Sequence, residues 1–111
     1  MMSKVFVKTN AKSKLVARVT FGLPGSMWAD TIYLLGDFNE WRPGPDPLEH
    51  ARDGGWSLTK EFEVGRAFQF RYLVNGQDWL NDNQADAYVP NPYGSQNCLV
   101  VTDPQYRRFR D

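Results

Sequence analysis

Apolar and polar residues alternate with a period of two along most of this chain, and no segment sustains the period of an amphipathic helix. Leu15, Ala17, Val19 and Phe21 fall on one side of a run that Gly22-Leu23-Pro24-Gly25 ends. Ile32 and Leu34 share a face, and Gly36 and Phe38 continue its phase. Pro43-Gly44-Pro45-Asp46-Pro47 is a loop, because three prolines cannot sit in a central strand. After the turn Asp53-Gly54-Gly55, Trp56, Leu58, Phe62 and Val64 alternate with Ser57, Thr59, Glu61 and Glu63. Lys60 interrupts that apolar face and predicts one edge position. Beyond Gly65, Phe68, Phe70, Tyr72 and Val74 form one face and Gln69, Arg71, Leu73 and Asn75 the other, before the hairpin signal Asn75-Gly76. A polar stretch with Pro90 and Pro92 runs from Asn81 to Ser95, and Asn97 to Thr102 makes the last strand.

Short strands about every ten residues, with turn chemistry between them, predict an all-β fold, an antiparallel sandwich. A length of 111 residues suits one domain with a real core. Residues 1–103 are expected to form it. Residues 104–111 read as a tail, in which Tyr106-Arg107-Arg108-Phe109-Arg110 is a solvated basic cluster.

Formal net charge is zero, which removes the electrostatic argument for nucleic acid or an anionic membrane as a partner. The single cysteine, Cys98, excludes an internal disulfide and reads as a small buried residue. Together with the absence of a signal-peptide-like apolar run at the N-terminus, this predicts an intracellular, cytoplasmic protein. The catalytic inventory is thin. The one histidine, His50, has no metal-ligating neighbour at a suitable spacing and reads as a solvated loop residue. No phosphate-binding glycine loop and no local nucleophile–base arrangement is present. No catalytic residue, metal or cofactor is expected.

Aromatics change the picture: they are 14% of the chain. Trp56 keeps phase with Leu58 and Phe62 and belongs to the core. Trp28 reads as a loop aromatic at one end of the sandwich. Trp41 follows Phe38 in a turn and is expected to face outward. Arg71, alternating with Phe70 and Tyr72, is outward as well. Asp37 and Asp82 are assigned to turns rather than to a ligand.

The ordered set Gly36-Asp37-Phe38-Asn39-Glu40-Trp41, Asp53-Gly54-Gly55-Trp56, Val64-Gly65, Phe70-Arg71-Tyr72-Leu73-Val74-Asn75-Gly76, Trp79, Asp82 and Tyr93-Gly94-Ser95-Gln96-Asn97 resembles carbohydrate-binding module family 48. That family includes the early-set domains at the N-terminus of isoamylase and branching enzymes and the glycogen-binding domain of the AMP-activated protein kinase beta subunit. The likeness runs from about Leu15 to Thr102. It implies an immunoglobulin-like sandwich of the early-set type that binds α-1,4-linked glucans, with a glycogen-metabolising enzyme as a possible partner. Carried over position by position, it makes Trp41, Arg71, Trp79, Tyr93, Ser95 and Asn97 the carbohydrate-binding residues. Asp78 is one residue more than the kinase domain carries before its second tryptophan, Asn75 replaces an aspartate, and Tyr93 replaces a leucine. Tyr93 can stack on a sugar or close the site. Some members of the family keep the fold as scaffold without sugar binding, which stands as the alternative.

The chemistry matches a sugar on physical grounds. A pyranose has an apolar C–H face that an indole covers, and a hydroxyl rim that guanidinium, carboxamide and hydroxyl groups satisfy.

Overall fold

The computed structural model describes residues 2–9, 14–26 and 28–106. Among these residues, nine strands form two antiparallel sheets. One sheet has the order β1-β2-β5-β4, from Ser3–Lys8, Leu15–Leu23, Trp56–Glu63 and Glu49–His50. The other has the order β3-β6-β9-β8, from Ile32–Gly36, Ala67–Val74, Gln96–Val101 and Ala87–Pro90, with β7 (Asp78–Leu80) also paired to β6. The sheets pack face to face as a sandwich of the immunoglobulin-like early-set kind. Among the described residues, no helix is long and apolar enough to cross a membrane.

Alternation places the core. Ala17, Val19, Phe21 and Phe62 point inward from the first sheet, and Ile32, Leu34, Phe70, Tyr72, Cys98 and Val100 from the second. Phe21 joins the layers, edge-on to Phe70 at 5.0 Å and to Phe62 at 6.2 Å, a favoured aromatic geometry. Trp56 is buried as expected. So is Cys98, whose burial pushes its thiol up to about 11.

Asn39 organises the turn after β3. Its carboxamide accepts from the Gly36 amide at 3.0 Å and donates to Leu34 O and the Asp46 carboxylate, each at 2.8 Å. Asp46 also accepts from Lys60 Nζ at 2.9 Å, so the proline-rich loop is docked onto the sandwich. Lys60 lies beyond the two-residue pairing of β4 with β5, where its ammonium reaches that loop.

Several elements differ from the sequence reading. The N-terminal strand β1 pairs with β2 along its whole length. Its inner positions are Lys4 and Phe6, so a lysine masks the alternation; that lysine reaches Asp86 at 2.6 Å and Val101 O at 2.7 Å. The polar stretch from Asn81 to Ser95 contains β8. His50 lies in a strand rather than a loop and stacks on Trp56 with ring centroids 4.3 Å apart. Asp82 does more than shape a turn: it is fully buried and accepts from Tyr72 Oη at 2.7 Å. Burial, then that carboxylate, pushes the Tyr72 phenol above its ordinary range. Tyr106, assigned to the tail, packs back: its hydroxyl donates to Asp86 O at 3.2 Å and Lys4 lies over its ring. Residues 107–111, with the rest of the basic cluster, lie outside the described residues.

Candidate functional site

The outer face of the second sheet is built by alternation from the residues that do not enter the core. Leu35 pairs with Arg71, and Leu73 pairs with Tyr33 on one side and Trp79 on the other. Leu35 and Leu73 are nevertheless buried. These two positions are therefore covered, and the same face carries a cleft of about 480 Å³ lined by Trp41, Arg71, Trp79, Asn91, Pro92, Tyr93 and Asn97.

Trp41 reaches the cleft through an unusual backbone. Glu40 and Trp41 both adopt left-handed conformations, with φ of 59° and 58°. Such conformations cost non-glycine residues roughly 1–3 kcal/mol each and persist only where neighbours enforce them. Here the Trp41 amide donates to Gly36 O at 3.0 Å and the Arg42 amide to Asn39 O at 3.2 Å. The indole is fixed as well: its Nε1 donates to Asp37 Oδ1 at 3.0 Å, while Asp37 Oδ2 accepts from the Gln69 amide of β6 at 2.8 Å. Asp37 thus ties the tryptophan to the neighbouring strand, beyond the turn role read from sequence. Trp41, expected to face outward, is half-buried, its ring seated in the cleft wall.

Trp79 arrives from the hairpin. Asn75 and Gly76 have φ of 54° and 68°, the signs of a type I′ turn, and the Gln77 amide closes onto Val74 O at 3.0 Å. The extra Asp78 is taken up as the first residue of β7, and Trp79 points to the outer face with 46% of its surface exposed. The two indoles lie 6.4 Å apart between centroids and are tilted by 60°. They form two flat apolar walls at an angle rather than one plane.

Arg71 supplies the floor. Its guanidinium lies 5.7 Å from the Trp79 ring centroid, with Nε donating to Asn81 Oδ1 at 2.7 Å and a terminal nitrogen to Ser95 Oγ at 3.0 Å. A planar group with five donors, held at two of them, keeps others for a ligand.

The opposite wall is the turn from Asn91 to Ser95, and Asn91 is its hub. Its Oδ1 accepts from the Tyr93 amide at 2.9 Å and the Ser95 amide at 3.2 Å. Its Nδ2 donates to Ser95 Oγ at 3.0 Å and Asn97 Oδ1 at 3.1 Å. Asn97 Nδ2 in turn donates to Gln69 Oε1 at 2.9 Å. Tyr93 is held at its backbone while its ring projects with 91% of its surface exposed, so it stands at the cleft margin and does not close it.

Of the six residues proposed from sequence, Trp41, Arg71, Trp79, Tyr93 and Asn97 line one cleft, and Ser95 holds Arg71 and Asn91 beside it. The reading missed Asn91, Asn81 and Asp37 as supports. An Asn two residues before Tyr93 is an Asx-turn signal that could have marked the first. Trp28 is not part of this site and caps no end of the sandwich; it is 92% exposed. Among the described residues, no group of three His, Cys, Asp or Glu side chains is placed to hold a metal.

No protein-family model matches the chain. It is 30% identical over 93 residues to the 1,4-alpha-glucan branching enzyme GlgB of Aquifex aeolicus, a match covering 81% of this chain and 14% of that enzyme. It is 38% identical over 58 residues to tectonin beta-propeller repeat-containing protein 1 of Rattus norvegicus, covering 52% of this chain and 5% of that protein, and to the Mus musculus protein to the same extent. The chain thus corresponds to a small part of each relative's length. The first similarity relates it loosely to an enzyme of α-glucan branching.

Proposed function

We propose that this chain is a non-catalytic module of the carbohydrate-binding family 48 type, which binds α-1,4-linked glucans such as glycogen, starch or maltooligosaccharides in the cleft between Trp41, Trp79 and Tyr93. The observation that carries the reading is the pair of indoles lining one cleft, 6.4 Å apart and tilted by 60°, around a guanidinium floor. Two apolar planes at an angle suit successive rings of a curved glucan better than the flat face of a straight one. Arg71, Asn91 and Asn97 then offer donors and acceptors to the hydroxyl rim. The similarity to a branching enzyme points the same way.

A shallow surface on a neutral sugar gains only a few kcal/mol, which corresponds to dissociation constants of roughly 0.1–1 mM. Attachment at several points of a branched polymer raises the apparent affinity. The role that follows is to bring a glycogen-metabolising partner in the cytoplasm to its substrate.

Tryptophan fluorescence tests the reading. Titration with maltoheptaose is expected to shift and saturate the emission of the wild-type protein, and to leave Trp41→Ala with a much smaller, non-saturating change. A wild-type signal that does not respond to maltoheptaose contradicts it and leaves a scaffold role.

A further inference from the structure

Among the described residues, the part-buried cations are Lys4, Lys60 and Arg71. Lys4 pairs with Asp86 at 2.6 Å and Lys60 with Asp46 at 2.9 Å. Arg71 has no carboxylate partner among those residues. Its hydrogen-bond acceptors, Asn81 Oδ1 and Ser95 Oγ, are neutral, and so is the Trp79 ring that its guanidinium faces. No acidic residue lines the cleft. Two acids belong to the elements that carry the tryptophans, and neither neutralises Arg71. Asp37 has one oxygen on the Trp41 indole and the other on the Gln69 amide. Asp78 pairs with Val74, a core residue, so alternation sets it on the face opposite to Trp79.

Hydrogen-bonding capacity has the same bias. A guanidinium has five N–H donors, and the bonds to Asn81 and Ser95 leave the others of Arg71 without a partner among the described residues. Ser95 Oγ accepts from both Arg71 and Asn91, which fills its lone pairs and leaves its O–H to donate. Trp79 Nε1 can only donate, and it too has no acceptor among the described residues. The carboxamides of Asn91 and Asn97 carry both kinds of group and set no preference. The cleft therefore combines an unneutralised positive charge with an excess of donors. A sugar hydroxyl donates as well as accepts, and a neutral glucan leaves the charge as it is. A phosphate monoester brings a charge of about −1.5 to −2 and strong acceptor oxygens, and its geometry matches the guanidinium fork.

We propose that the cleft prefers acidic α-glucans, whose glucose units carry phosphate monoesters, to neutral ones, and that Arg71 sets this preference. The inference rests on the reading of the cleft as a glucan site. The guanidinium lies 5.7 Å from the Trp79 ring centroid, within reach of a substituent on the rim of a sugar stacked there.

The test is calorimetry with maltoheptaose, maltoheptaose phosphorylated on a primary hydroxyl, and inorganic phosphate, on the wild-type protein, Arg71→Gln and Arg71→Lys. The wild type is expected to bind the phosphorylated sugar about threefold to tenfold more tightly than the neutral one at low salt. At about 1 M salt, where the screening length is about 3 Å, the two affinities are expected to converge. Arg71→Gln is expected to bring them together at low salt as well. Arg71→Lys keeps the charge without the fork and should retain part of the difference. Inorganic phosphate alone is expected to bind far more weakly than the phosphorylated sugar. Equal wild-type affinity for the two sugars at low salt overturns the preference and leaves the cleft as a site for neutral glucan. A preference that persists undiminished in folded Arg71→Gln, or in the wild type at high salt, overturns it too, because the Arg71 charge is then not its source; the salt comparison needs no variant to fold. Inorganic phosphate that binds as tightly as the phosphorylated sugar also overturns it, since the site would then recognise the anion without the glucan. Wild-type protein that binds neither sugar overturns the cleft reading together with the preference.

Discussion

Trp41 shows how much local geometry one candidate residue needs. Its left-handed backbone is unfavourable on its own and is held by the Gly36 carbonyl, by Asn39 and by the Asp37 carboxylate. Asp37→Ala removes the acceptor for both the indole and the Gln69 amide. It is expected to weaken maltooligosaccharide binding about threefold to tenfold and to lower stability by about 1 kcal/mol, read by calorimetry and by urea unfolding. Asn91→Ala releases the amides of Tyr93 and Ser95 together with Ser95 Oγ and Asn97 Oδ1. It is expected to cost about tenfold in affinity while moving the unfolding midpoint little, because that turn is largely exposed; unchanged affinity would show that the wall does not need this hub. The six candidate residues came from the family resemblance, carried over position by position, and the fold brings five of them to one cleft with Ser95 beside it. Their supports were not legible in the sequence, since an Asn or Asp that braces a loop is indistinguishable there from one that merely faces water.

At the scale of strands, β6 organises the molecule: its inner face is core, its outer face holds Arg71, and one edge serves two strands. The alternation of β2, β5 and β6 was plain in the sequence because most of their inward residues are apolar and most of their outward ones polar, with Lys60 and Leu73 as exceptions. β3 reads less cleanly, since Leu34 and Leu35 are both buried and a strand covered on both faces loses its period. β1 and β8 were missed for a related reason: Lys4 points inward to an ion pair with Asp86, and β8 is short and ends in Pro90. Gly36 couples β3 to the site. A β-carbon there would meet Gln69 O at 2.5 Å and the Phe38 ring at 2.6 Å. Gly36→Ala is therefore expected to destabilise the fold by about 2 kcal/mol or more, from clash rather than from backbone conformation, and to lower the thermal midpoint. A midpoint within a degree or so of wild type would show that β3 and β6 can separate at little cost.

For the molecule as a whole, pH and salt should act on different properties. Cys98 is held neutral by burial, its thiol pushed from an ordinary value of 9.0 up to about 11, and Tyr72 is raised in the same direction. Above pH 9 the unfolded chain releases protons that the folded chain retains, so unfolding becomes easier as pH rises. Stability is expected to be full below about pH 9 and to fall progressively toward pH 11. Denaturant titrations across that window check it, and Cys98→Ala should flatten the first part of the slope. Salt should matter little to binding. The proposed glucan is neutral and contacts of the kind proposed are short-ranged, so screening would remove nothing from them, and the dissociation constant is expected to stay within about twofold between low and high ionic strength.

The central claim is that Trp41 and Trp79 form one glucan-binding cleft. Electrophoresis of the native protein through a gel cast with glycogen tests it most directly, beside Trp41→Ala and Trp79→Ala variants whose folding is verified by circular dichroism. Retardation of the wild type, lost in both folded variants, is the predicted result. Free migration of the wild type, or retardation that survives both substitutions, would contradict the account.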